Sequence, residues 1–154
     1  MKSRPRLPPI QGFRKRRRFR IADSAQQIVG GFLLAGPFVV TEEVWLLAAG
    51  MNLWQAFATI GIVCAIGYAA LYKADTKRDP SEEQDIVGIP VRFLSLVCIA
   101  FGSVLVLALL FDAPDTFLLD NGATTAETAI ITFKAVSVGA VFSVVGAATA
   151  DSVF

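Results

Sequence analysis

Residues 28–48 read IVGGFLLAGPFVVTEEVWLLA, and how Glu42 and Glu43 sit within this stretch decides the fold. Ile28 to Thr41 are uncharged, which gives about 21 Å of helix at 1.5 Å per residue. A bilayer core is about 30 Å thick, so this run crosses only if the helix continues through both glutamates to about Ala48. The spacing therefore predicts a first membrane span over 28–48 with carboxylates at membrane depth. Gly36 and Pro37 are expected to kink it, because proline removes one backbone hydrogen bond and crowds the preceding turn.

Working outward, three more apolar runs predict spans over 54–72, 92–111 and 129–150. Gly50-Met51-Asn52 makes a tight link between the first two, which brings Trp45 and Trp54 to one membrane face as an interfacial belt. In the polar loop that follows, Asp79-Pro80-Ser81-Glu82 has the form of a helix start, and Thr124 with Glu127 has the form of a capping box. The chain is 55% hydrophobic and only 18% charged, where soluble domains carry about a quarter charged residues. The expected fold is an all-α membrane protein with four transmembrane helices in residues 25–154, multi-pass in the cell membrane.

Residues 1–24 form a basic tail too rich in charge and proline to bury a core, and they are expected to be disordered and cytoplasmic. Nine of the fourteen lysines and arginines lie in the first twenty positions. Lys73, Lys77, Arg78 and Arg92 fall on the same side, whereas the 112–127 loop has four carboxylates and no base. This bias places both termini in the cytoplasm. Arg14, Lys15, Arg16, Arg17, Arg18 and Arg20 are expected to meet anionic lipid at that face, at about 1 kcal/mol per base. No groove-reading module accompanies them, so nucleic acid is not an expected partner. A short echo, Gln27-Ile28-Val29-Gly30 against Asp85-Ile86-Val87-Gly88, would fit a two-helix duplication.

The chemistry rests on few residues. Lys134 lies inside the fourth run, about 7.5 Å below its outer edge, the same estimated depth as Glu43. Buried charges are costly and usually paired, so Glu43 and Lys134 make a candidate ion pair. Alternatively, Lys134 snorkels toward Glu127, and the glutamates sit at a thinned outer interface. Small residues recur every four positions at Gly139, Ser143 and Ala147, at Gly31 and Ala35, and at Gly61 and Ala65, as close helix packing requires. Cys64 and Cys98 sit mid-run and are read as packing residues. Histidine is absent, which removes the commonest metal ligand and catalytic base. No cofactor is implied, no metal is specified, and an enzyme is not expected.

The segment Gly30-Gly31-Phe32-Leu33-Leu34-Ala35-Gly36-Pro37, continuing Phe38-Val39-Val40-Thr41-Glu42-Glu43-Val44-Trp45, resembles an uncharacterised family of integral membrane proteins from archaea and bacteria. That family's first helix is similar in its glycines, its proline step and a Thr-x-Glu-x-Trp pattern, matched here by Thr41, Glu43 and Trp45. Longer relatives are similar to two such units joined, which implies that a short chain assembles as a homo-oligomer. The resemblance implies a fold and no substrate. The layout is also similar to Orai-type calcium channels, an architectural likeness that does not carry function. The leading expectation is an ion or proton channel or transporter subunit. In it Glu43 is the exchangeable carboxylate, Glu42 a second acid and Lys134 the countercharge, with Thr41 and Trp45 shaping the site. The alternative is a non-transporting accessory or scaffold protein held by a buried ion pair.

Overall fold

The computed structural model describes residues 20–74 and 78–153. Five α-helices follow in order: α1 (Ile21–Val39), α2 (Glu42–Gly50), α3 (Leu53–Tyr68), α4 (Val91–Leu110) and α5 (Thr125–Val153). A π-helical turn, Ala69–Lys73, extends α3. Segment Leu53–Lys73 together with α4 and α5 is long and apolar enough to cross a membrane, and α1 with α2 forms a further pair bent by 81°. The protein is therefore an all-α membrane protein with three spans, or four when the bent pair is counted as one.

The first span departs from its expected form. Its helix begins at Ile21, seven residues before Ile28, and stops at Val39. The chain then leaves helical geometry at Val40 and Thr41 before α2 starts at Glu42. The sharp break thus falls three residues beyond Pro37, and α1 runs through the Gly36–Pro37 step where the kink was expected.

Helix ends follow their local chemistry. Asn52 starts α3, its side chain accepting from the Gln55 amide at 2.8 Å while Gln55 Oε1 accepts from the Asn52 amide at 2.8 Å. At α5 the Thr124 amide donates to Glu127 Oε2 at 2.9 Å and the Glu127 amide to Thr124 Oγ1 at 3.3 Å. This capping box fixes the helix start four residues ahead of the apolar run at 129. Asp79 accepts from the Ser81 amide at 2.9 Å, but only the 3-10 turn Pro80–Glu82 follows. The next residues form a minimal hairpin, β1 (Asp85–Ile86) against β2 (Ile89–Pro90). Val87 and Gly88 turn it with φ of 55° and 81°, the left-handed pair that a tight hairpin needs. The expected echo is absent from the fold, since Gln27–Gly30 is helical and Asp85–Gly88 is strand and turn.

Helix α5 is the axis of the bundle and packs against each of the other four helices. It runs antiparallel to α1, with Gln27 bonded to Asp151 near one end and Ser143 Oγ donating to the Gly31 carbonyl at 3.1 Å further along. Between them a Cβ added at Gly30 would lie 2.1 Å from the Gly146 carbonyl oxygen, so only glycine allows this approach. The face of Gly139, Ser143 and Ala147 is spent inside the chain, Gly139 against Val104 and Ser143 against Ser103 at 2.7 Å. Gly31 and Ala35 are likewise buried. Gly61 and Ala65 instead face outward. Cys64 is half-buried and Cys98 exposed on α4, so the packing role expected for Cys98 is not observed. Both described chain ends lie at one end of the bundle, called here the terminal end; α2 marks the other.

Candidate functional site

Two polar arrangements stand out, one at each end of the bundle. At the α2 end the Thr41-Glu42-Glu43-Val44-Trp45 segment builds a corner. A helix that stops leaves its last carbonyls without partners. Thr41 Oγ1 donates to the Phe38 carbonyl at 3.1 Å, and Trp45 Nε1 donates to the Val39 carbonyl at 3.0 Å. The Trp45 ring is 2% exposed and stacks on Phe117 with centroids 5.9 Å apart. It therefore serves the corner and not the interfacial belt, which Trp54, 78% exposed, is left to provide.

Glu42 and Glu43 occupy the first turn of α2, where carboxylates favour the positive end of the helix dipole. Both are exposed. Lys134 reaches the other end of the same helix: buried on α5, it donates from Nζ to the Met51 carbonyl at 2.5 Å. Met51 closes α2, so the ammonium lies at the negative end of its dipole. The expected Glu43–Lys134 ion pair is not formed, and among the described residues neither glutamate makes one. Lys134 does not turn to Glu127, which is held by Thr124. Acids at the start of α2 and a lysine at its end complement one short helix from both sides, so their equal depth in the sequence did not signal contact.

The second arrangement is the larger one and lies at the terminal end. Asp151, two residues before the end of α5, has a fully buried side chain. Its Oδ1 accepts from Arg92 Nη1 at 2.8 Å and from Gln27 Nε2 at 3.1 Å. Its Oδ2 accepts from Arg78 Nη1, whose Nη2 also donates to the Asp151 carbonyl at 2.8 Å. Arg92 extends the network through Nη2 to Asp23 at 2.9 Å and through Nε to Glu83 at 3.4 Å. Tyr72 donates to Glu83 Oε2 at 2.8 Å, and Ser95 donates to Gln27 Oε1 at 2.8 Å. Every membrane-crossing element contributes: α1 by Asp23 and Gln27, the turn after α3 by Tyr72, α4 by Arg92 and Ser95, and α5 by Asp151.

None of these residues was singled out as a site from the sequence. Arg78 and Arg92 counted only toward orientation, and Asp151 lay beyond the last expected span. A usable signal existed, namely one acid closing an apolar helix at the same side as two arginines that bracket a loop. The basic cluster at Arg14, Lys15, Arg16, Arg17 and Arg18 lies outside the described residues. Arg20 is described and exposed, and its amide donates to Asp23 Oδ2 at 2.8 Å.

The chemistry open to these groups is limited. Among the described residues no cluster of three histidine, cysteine or acidic side chains is placed to hold a metal ion. A recess of 260 Å³ lies beside the network, lined by Tyr68, Ser81, Glu83 and Asp85 among others. Glu83 in its wall is already engaged by Tyr72 and Arg92. A second void, of about 10 Å³ under Trp45, Val104 and Gly139, has an apolar lining. The buried charges of the network are arranged as bonds between helices.

Fold and polar sites together define a multi-pass integral membrane protein whose helices are joined by buried ionic contacts. The chain belongs to the family described as "Putative integral membrane protein (DUF2391)", whose model matches residues 11–151. Comparison with curated proteins and with solved structures found no match.

Proposed function

We propose that the protein is a non-transporting structural subunit of the membrane, an accessory or scaffold protein whose buried charges fix the order of its helices. The observation that carries this reading is Asp151. Both carboxylate oxygens are taken up by Arg92, Gln27 and Arg78, and the groups that hold it come from α1, α4 and the α3–α4 connection. A fully buried carboxylate with both oxygens engaged acts as a bond between the helices that supply its partners. Lys134 is committed in the same way to the end of α2. The charge bias supports a cytoplasmic terminal end, and the basic residues near it suit anionic lipid. The implied two-unit relatives favour a homo-oligomer. No catalytic role is part of this reading.

A second reading keeps the ion or proton pathway. One observation favours it: Glu42 and Glu43 are exposed on α2, so a pathway between subunits could still use them. Flux into proteoliposomes, compared for wild type and Glu43→Gln across protons, sodium, potassium and calcium, separates the two. The scaffold reading expects no flux above protein-free vesicles from either protein. Flux in wild type that a folded Glu43→Gln variant loses would replace it with the pathway.

A further inference from the structure

Helix α2 is short, sits at 81° to α1 and presents a face that no part of the described chain covers. Its nine residues are about 13 Å long, which cannot cross a bilayer core of about 30 Å. On the helical wheel Val44, Trp45 and Ala48 fall together on the buried side. Glu42, Glu43, Leu46 and Leu47 fall together on the opposite side, the leucines 63% and 64% exposed.

The level of α2 in the bundle follows from its contacts. Lys134 meets Met51 at the end of α2, and Asp151 meets Arg92 at the other end of the bundle. Between those two levels α5 rises about 26 Å, close to the thickness of the hydrocarbon layer. The α2 end therefore coincides with one edge of the apolar layer. The outward leucines continue directly into Leu53, Trp54 and Phe57 at the start of α3, a span whose exposed side faces lipid. A short helix at that edge, turned nearly at right angles to its neighbour and exposing Leu46 and Leu47 beside Glu42 and Glu43, suits a position in the plane of the interface.

We propose that α2 lies in the plane of the bilayer at the headgroup–acyl boundary. Leu46 and Leu47 meet lipid at that boundary with Glu42 and Glu43 beside them on the same face, and Trp54 marks the boundary at the start of α3. The occupant of this surface is lipid, and α1 with α2 is a span followed by a surface-lying corner. The inference does not rest on the scaffold reading, because a transporter could carry the same corner.

Only two tryptophans are present, and just one is exposed, so fluorescence of the full-length protein reports directly. In vesicles containing lipids brominated at shallow or deep acyl positions, emission should be quenched several-fold more by the shallow label, and Trp54→Phe should remove most of that quenching. In a Trp54→Phe background, Leu47→Trp should restore shallow quenching from α2 itself. Deep quenching exceeding shallow quenching would mean that the corner is buried across the core and would overturn the proposal. Quenching by aqueous iodide without lipid quenching would place the face in water, and quenching by neither would mean that another protein copy covers it; each result contradicts lipid as the occupant.

Discussion

The backbones of Gly30 in α1 and Gly146 in α5 touch: a Cβ on Gly30 would stand 2.1 Å from the Gly146 carbonyl oxygen, and one on Gly146 would stand 2.2 Å from that of Gly30. Two helices without a hydrophobic drive to associate in lipid are thus held by close backbone approach and dispersion. Gly30→Ala and Gly146→Ala should each destabilise the protein by about 1–3 kcal/mol, since a methyl group cannot enter without separating the helices. Gly61→Ala is the control, because a Cβ there meets nothing within 4 Å. Reversible denaturation in detergent micelles measures all three.

The corner at Val40–Thr41 depends on two donors. Trp45→Phe keeps the ring against Phe117 but leaves the buried Val39 carbonyl unpaired, which should cost about 1–3 kcal/mol. Thr41→Val, at a half-buried site, should cost less. If Trp45→Phe unfolds at the wild-type denaturant midpoint, the indole hydrogen bond does not hold the corner.

Lys134 and Glu43 should respond differently. Lys134→Met removes the donor to Met51 and should lower stability by about 1–3 kcal/mol. Glu43→Gln, on an exposed first turn, should leave the melting temperature nearly unchanged. Equal losses in both variants, repaired by exchanging the two charges, would reinstate the ion pair that the sequence suggested.

Two hydroxyls on α5, Thr128 Oγ1 and Thr132 Oγ1, are buried and have no hydrogen-bond partner. Replacing an unsatisfied buried hydroxyl by a methyl of the same shape removes a desolvation cost, so Thr128→Val and Thr132→Val should be neutral or stabilising, up to about 1 kcal/mol each. A clear loss of stability in either would reveal a bound water or another acceptor.

The helical class and the second and third span limits were legible because runs of about twenty apolar residues admit few other structures. The first span was not, and Glu42 shows why. Its placement assumed one continuous helix of spanning length, whereas the helix gains its length on the terminal side from residues 21–27, where Asp23, Ser24, Gln26 and Gln27 lower the hydropathy. Trp45 was read as an interfacial residue because only tertiary contact reveals the Val39 carbonyl beneath it. The Asp151 network was legible only as charges gathered on one side of the membrane, and not as contacts, for a different reason. Its members come from Asp23 to Asp151, and nothing local signals that an acid near the last residue of one helix meets an arginine at the first turn of another.

The measurement that bears most directly on the structural role of the buried charges is a double-mutant cycle between Asp151 and Arg92, read as unfolding free energy in lipid or detergent. Asp151→Asn and Arg92→Gln should each cost about 3–5 kcal/mol, as removal of one partner from a buried pair does. The double variant should fall short of their sum by more than about 1 kcal/mol, because contacting groups are coupled. Single variants as stable as wild type, or losses that simply add, would contradict a structural role and return these charges to the search for a pathway.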